Sequence, residues 1–388
     1  MNRGPEGLRG GEFNFPRRPD PSHFRPEQEQ GTGKLPLPDT KEEVMERTHM
    51  VLSAYGEKAL EALREMVKKG EGRTVIATVK DRPEDEQLGI DAIGEHVLSG
   101  LVRDFNLPAV IKGEHNNYRS ENLNDLKPGV PHAILPIDSF DNSSQYKRDL
   151  DTPPYTAVSA FFSDGEPIGG VIGDIKDNKL YMVDWTGYPI VRDLETKQDR
   201  RIYKSHVNDI RNPNFTLAVY LGSNEYSVEF WKFFGHTIEE MHPKALLYAG
   251  GGAYIPAILS RGAATAYMMF NEPRTETDPG AGLALAADLD VVSIDRETYE
   301  ITPYKFDESL HDARDSFYIA SANRAITEQL IEEFKKGKQI VEDRASAWRI
   351  WTFLQARPDL AELVTHALES DSKSLSQPLS SGESQESN

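Results

Sequence analysis

Four acidic elements stand near expected strand or helix ends: Asp91 in a helix, Glu114 and Asp138-x-x-Asp141 each after a strand, and Asp278 before a helix. A hard divalent cation takes carboxylate and carbonyl oxygens that converge from separate segments, so this set could hold metal. Asp138 and Asp141 fall where a strand should break into a turn, which lets both face one cleft. The Phe140 carbonyl between them is a further candidate oxygen. Ser143-Ser144 follows at once and offers hydroxyl and backbone N–H groups to a phosphate. Gly250-Gly251-Gly252 ahead of an expected helix is a second candidate phosphate cradle. Each element alone also has an ordinary reading. In a chain with 63 acidic residues a D-x-x-D is commonly a solvated turn, and the three glycines are commonly a plain loop. Asp278 before Pro279-Gly280-Ala281-Gly282 could simply cap a helix with Pro in its first turn.

These residues depend on elements that the sequence pattern lays out in order. Thr40-Lys41-Glu42-Glu43 is a capping box, and Val44, Val51, Leu52, Tyr55, Leu60 and Leu63 continue near helical spacing, which predicts a helix over 41–69. Residues 74–79 read as a strand. A second helix is expected from about Asp85 to Phe105, along Leu88, Ile93, Val97, Leu98, Leu101 and Val102. Ala109–Ile111 and Ala133–Ile137 read as buried strands. Tyr155–Phe162, Ile168–Ile175 and Lys179–Val183 read as a meander that turns at Ser163-Asp164-Gly165-Glu166. Beyond it, strands at 215–221, 263–269 and 317–320 alternate with helices at 223–234, 250–259, 279–289 and 322–336. Helices with antiparallel strands, followed by alternating strands and helices, imply two α+β or α/β layers sharing an interface.

Composition narrows the function classes. The chain has 388 residues and no cysteine, which removes disulfides, thiolate metal sites and a Cys nucleophile. A net charge of −19 argues against a nucleic acid polymer as partner. No apolar run approaches the roughly 18 residues of a membrane span, and no signal-peptide pattern precedes Phe13, so a cytoplasmic protein is expected. Residues 1–38 read as a disordered N-terminal arm and 369–388 as a disordered Ser-rich tail. Between them the expected parts are 39–210 (N-terminal α+β, with the metal-site strands and meander), 211–337 (C-terminal α/β) and 338–368 (extra C-terminal helices). Trp348, Trp351, Phe353 and Leu354 in the last part read as packing, within the fold or at a dimer contact, and a homodimer is the expected assembly.

The ordered set resembles the inositol monophosphatase family, within the wider fructose-1,6-bisphosphatase and lithium-sensitive phosphatase superfamily. The family pattern is an early Asp, then G-E-E, then D-P-[IL]-D-[GS]-[ST], then W-D-x-A-A-G. Its counterparts here are Asp91, Gly113-Glu114-His115, Asp138-Ser139-Phe140-Asp141-Asn142-Ser143 and Thr277-Asp278-Pro279-Gly280-Ala281-Gly282. The resemblance spans roughly 45–336 and includes the meander, Gly250–Ala253 and Ala264–Tyr267. It implies a layered αβαβα sandwich of the sugar phosphatase type. It also implies hydrolysis of a small phosphorylated polyol, sugar or nucleotide with two or three Mg²⁺.

Carried over, Glu114, Asp138, Asp141 and Asp278 resemble the magnesium ligands, with the Phe140 carbonyl between two of them. Asp91 resembles the acid that holds a further metal and pairs with the hydroxyl residue. Ser143 stands where the family orients the attacking water, so Glu114, Asp91 and Ser143 are the expected catalytic residues. Asn142, Ser143, Ser144, Gly251, Gly252, Ala253 and Lys80 are the expected substrate-binding residues. The departures are His115 for the second Glu, Ser139 for Pro, Asn142 for Gly and Thr277 for Trp. His115 reads as a residue behind the ligands or on the surface. A competing register matches Pro136-Ile137-Asp138 to P-I-D. It would put Leu135 at a ligand position and Phe140 at the hydroxyl. The register with Asp138 first keeps both carboxylates and the hydroxyl together, as a metal-activated water needs.

Overall fold

The structure is a computed structural model that describes residues 35–356 apart from 80–81, 114–116, 150–152, 185–186, 221–223, 242–244, 249–251, 271–272, 312 and 314–315. The expected tail lies outside the described residues, as do residues 1–34 of the expected arm and 357–368 of the expected extra helices.

Helix α1 covers Lys41–Lys69. The Thr40 hydroxyl accepts the Glu43 N–H at 3.2 Å, while Glu43 accepts the Asp39 N–H at 2.6 Å, so the box closes one residue further out than expected. Gly70 ends the helix with φ 66°, its N–H turned back to the last carbonyls. Strands β1 (Val75–Val79) and β2 (Arg82–Leu88) then form an antiparallel hairpin. This corrects the sequence reading of 85–88 as helix. Pairing with β1 overrides the helical leaning of Glu84-Asp85-Glu86-Gln87, and Gly89 separates it from α2 (Asp91–Asp104).

An eight-stranded sheet follows. Its strands are β3 (Ala109–Gly113), β4 (Asn117–Arg119), β5 (Ala133–Asp141), β6 (Tyr155–Phe162), β7 (Pro167–Asp174), β8 (Lys179–Val183), β9 (Pro189–Asp193) and β10 (Gln198–Arg201). Their order is β10-β9-β8-β7-β6-β5-β3-β4, with β3 and β5 parallel and the other pairs antiparallel. The short helix α3 (Ser143–Lys147) leaves the end of β5. A second, six-stranded sheet has the order β12-β11-β13-β16-β14-β15. It is built from β11 (Thr216–Val219), β12 (Ala245–Tyr248), β13 (Ala266–Met269), β14 (Asp290–Asp295), β15 (Ile301–Pro303) and β16 (Ser316–Ser321). Its helices are α4 (Asn224–Phe234), α5 (Ile238–Met241), α6 (Ile255–Ser260), α7 (Asp278–Ala286) and α8 (Arg324–Ala356).

Three apolar clusters stack these elements into an αβαβα sandwich. Val51, Tyr55 and Leu60 of α1 and Leu98 and Leu101 of α2 pack on Leu135, Ile137, Val158 and Val171 of the first sheet. The opposite face, through Ile134, Ala157 and Ile172, meets α6 and α7, which in turn pack on Tyr267, Met269 and Ala320 of the second sheet. The far side of that sheet packs on Phe230, Phe233 and Phe234 of α4 and Ile326, Leu330 and Phe334 of α8. Covering both faces explains why every residue of β6 is buried and reads as a nearly continuous apolar run.

Helix α7 is a tight joint between the two sheets. A Cβ on Gly282 would lie 2.1 Å from the Gly169 carbonyl oxygen, and one on Gly280 would lie 2.2 Å from that of Ala253. The Ser159 hydroxyl accepts the Gly282 N–H and donates to the Pro279 carbonyl, both at 2.7 Å. Helix α8 is longer than the expected 322–336 and runs unbroken through Gly337. That glycine is tolerated there because the Phe233 backbone presses against it.

Candidate active site

Strand β5 delivers Asp138 and Asp141 at its C-terminal end. Asp138 pairs with Ala157 and Asp141 with Tyr155, and the register shift between them is a bulge. The strand thus continues to Asp141, past the break expected at Asp138. A bulge re-aims side chains that strict alternation would separate. The Asp138 carboxylate accepts the Phe140 N–H at 3.1 Å. The Phe140 side chain is buried in the α1–α2 layer, edge-on to Tyr146. Asn142 then adopts φ 74° and turns the chain into α3, with Ser143 as its first residue.

Behind β5, the Tyr55 hydroxyl shares a 2.6 Å hydrogen bond with Thr156, whose hydroxyl donates to the Asp138 carbonyl at 3.4 Å. Burial raises the Tyr55 phenol above its ordinary pKa, and Asp138 and Glu95 add to that shift. Helix α2 reaches the same spot through Gly94, where a Cβ would sit 2.8 Å from both the Ser139 and Tyr55 hydroxyl oxygens. Asp91, one turn earlier, is buried and accepts the Leu88 N–H at 2.6 Å.

Asp141 links the first sheet to the middle helices. Its carboxylate accepts the Tyr254 N–H at 3.3 Å, and the Tyr254 ring stacks on Tyr155 with centroids 4.2 Å apart. Gly252, Ala253 and Tyr254 form the bend and turn before α6, which begins later than the sequence pattern suggests. A Cβ on Gly252 would lie 2.5 Å from the Glu276 carbonyl oxygen, so packing requires glycine there. Ala253 in turn abuts Gly280 in the first turn of α7. Asp141, Ala253–Tyr254 and the start of α7 are therefore contiguous.

Asp278 opens α7 with no exposed surface. It does not cap its own helix: the N–H groups of Gly280 and Ala281 donate to the Thr277 carbonyl. Its carboxylate accepts the Tyr304 hydroxyl at 2.5 Å on Oδ1 and meets His311 Nδ1 at 2.6 Å on Oδ2. Burial first, and then Asp278 itself, push the Tyr304 phenol well above its ordinary pKa, which keeps the donated proton in place. Sequence reasoning missed both partners. His311 lies in the polar stretch after Asp307, and only its 2% exposure marks it.

The structure thus brings Asp138, Asp141, Asn142 and Ser143 together at the end of β5. It places Gly252 and Ala253 beside Asp141, and Ala253 abuts the first turn of α7, which Asp278 opens. Glu114, Lys80 and Gly251 lie outside the described residues, as do His115 and the Ser144 side chain. Among the described residues no three carboxylate or imidazole groups converge on one point. The donor chemistry still fits a hard cation, since every candidate ligand offers oxygen. Among the described residues no donor reaches Asn142 Oδ1, which is buried next to Asp141. The residues that line a cleft of 740 Å³, among them Lys112, Arg274, Lys305, Asp307 and Glu308, do not include these.

No protein-family model and no curated protein sequence matches the chain. Solved structures do. The extragenic suppressor protein SuhB from Bartonella henselae superposes with a TM-score of 0.57 at 13% identity, over 75% of this chain and 99% of that one. The MJ0109 gene product, an inositol monophosphatase–fructose 1,6-bisphosphatase, gives 0.55 at 14% identity over 72% and 98%. The Thermotoga maritima IMPase gives 0.51 at 16% identity over 76% and 99%. The chain has the inositol monophosphatase fold. In that fold, the αβαβα layers of this chain account for almost the whole of each similar structure. The likeness is one of architecture. At these identities the chemistry rests on the side chains described above.

Proposed function

We propose that the chain is a Mg²⁺-dependent phosphate monoester hydrolase acting on a small phosphorylated polyol, sugar or nucleotide. The observation that carries this reading is the joint at Asp141. In this fold the Asp141 carboxylate, at the end of β5 beside Asp138, is tied by the Tyr254 N–H to the turn before α6. Glu114, Asp138, the Phe140 carbonyl, Asp141, Asp91 and Asp278 would hold the ions. When bound, Mg²⁺ supplies charge neutralisation and a lowered pKa for a coordinated water.

This chain's own residues do the rest. Glu114 and the Asp91–Ser143 pair orient the attacking water. Asn142, Ser143, Ser144, Gly251, Gly252 and Ala253 offer amide and hydroxyl groups to the phosphate, and Lys80 offers a positive charge. We also propose a homodimer working in the cytoplasm. Among the described residues no helix is long and apolar enough to cross a membrane.

A second reading, a non-catalytic binding or regulatory protein, is favoured by one observation: both oxygens of Asp278 already have protein partners. A phosphate-release screen over monoesters, run with Mg²⁺ and with excess chelator, separates the two. Release that needs Mg²⁺ supports the hydrolase, whereas full release in chelator sinks the mechanism. No release from any ester favours the second reading.

A further inference from the structure

Asp278 is held from outside its own helix. The two groups on its oxygens, Tyr304 and His311, come from one segment that follows β15. This segment is anchored on several sides. The Tyr304 N–H donates to the Val291 carbonyl at 3.0 Å, and its ring packs edge-on against Tyr318. Phe306 stacks on Phe161 of the first sheet, with centroids 4.4 Å apart. Asp307 caps the turn Glu308–Leu310 by accepting the Ser309 N–H at 2.9 Å, and Glu308 pairs with Lys112 at 3.2 Å. The Arg274 N–H, just ahead of α7, donates to the Ala313 carbonyl at 3.1 Å. Tyr304 and His311 are therefore fixed before Asp278 is considered.

A carboxylate at the start of a helix ordinarily caps the helix N–H groups or stays in solvent, and a buried one must find other partners. Asp278 neither caps its helix nor meets solvent. The short bonds at 2.5 and 2.6 Å lock its rotamer and leave part of its acceptor capacity unused, because an ionised carboxylate has about four lone-pair sites. Carboxylates that coordinate metals are commonly oriented by hydrogen bonds of this kind. We propose that Tyr304 and His311 are positioning residues that fix the Asp278 carboxylate as a cation ligand. The proposal rests on the metal-dependent reading above. It reinterprets the two occupied oxygens as orientation of the ligand.

The test is calorimetric titration of Mg²⁺ into the full chain, beside Tyr304→Phe, His311→Leu and His311→Asn. Circular dichroism and melting temperature report the fold of each variant. Tyr304→Phe and His311→Leu should weaken Mg²⁺ binding by about 10- to 100-fold. His311→Asn, which keeps an N–H near the position of Nδ1, should recover most of the affinity. Folded Tyr304→Phe and His311→Asn proteins suffice if His311→Leu does not fold. A lower melting temperature with unchanged Mg²⁺ affinity would make the pair purely structural and overturn the proposal alone. If the unsubstituted protein takes up no Mg²⁺, the proposal and the metal reading fall together.

Discussion

Asp138 and Asp141 sit three residues apart in unequal surroundings, one partly exposed with the Phe140 N–H on it, the other buried against Tyr254. If both hold metal, Asp138→Asn and Asp141→Asn should each lose Mg²⁺ affinity and turnover together, since shape is kept and charge is lost. Ser143→Ala should retain Mg²⁺ binding while turnover falls about 10²–10⁴-fold, the range for a group that orients water or moves its proton. Under the competing register only Asp138→Asn would be impaired. Wild-type rates in the other two variants would refute the assignment. A separate residue-scale effect concerns stability. Burial holds the pKa of His132 below its ordinary 6.5; Arg119 adds to the shift and Glu308 opposes it. The folded protein binds this proton less readily than the unfolded chain. The stabilisation is therefore full above about pH 6.5 and lost as pH falls through the folded pKa. Melting temperature should drop between about pH 7.5 and about pH 5.5 more steeply in the wild type than in His132→Gln. Equal slopes would show that His132 does not contribute.

At the scale of elements, α7 decides whether the two sheets can share one layer. It is buried nearly all round, and its glycines replace side chains with backbone contact. Gly282→Ala would force its Cβ into the Gly169 carbonyl, and neither partner can yield because both are backbone. The expected cost is at least about 1–3 kcal/mol, read as a lower denaturant midpoint. Because α7 also carries Asp278, Mg²⁺ affinity should fall in the same variant. A Gly282→Ala protein as stable as the wild type would mean that β7 and α7 can slide apart without loss. Ser159→Ala is the milder probe of the same joint, since it removes the one hydroxyl that bonds both the Gly282 N–H and the Pro279 carbonyl.

For the whole molecule, the candidate ligands belong to α2, β5, α7 and the segment after β3, so an ion held by them would tie three of the five layers together. Binding to the folded state alone stabilises it by about 2.7 kcal/mol when free ion is 100 times Kd. Mg²⁺ should therefore raise the melting temperature and excess chelator should reverse the shift. An unchanged melting temperature across a Mg²⁺ titration would argue against a shared ion. Much of the architecture could be read before any tertiary contact was known. The Thr40 cap and the stripe from Val44 to Leu63 are local signals, and α1 has the predicted bounds. The meander of β6, β7 and β8 follows from period and turn residues in the same way. The sequence alone also placed Asp138, Asp141 and Ser143 at one strand end, because they are neighbours in the chain. Only the tertiary structure decided that 85–88 is a strand and that α8 passes through Gly337. It alone paired Asp141 with Tyr254 and set Tyr304 and His311 on Asp278. Those outcomes join residues up to 113 positions apart. Nothing in local propensity or spacing encodes such a contact; it exists only once the layers have packed.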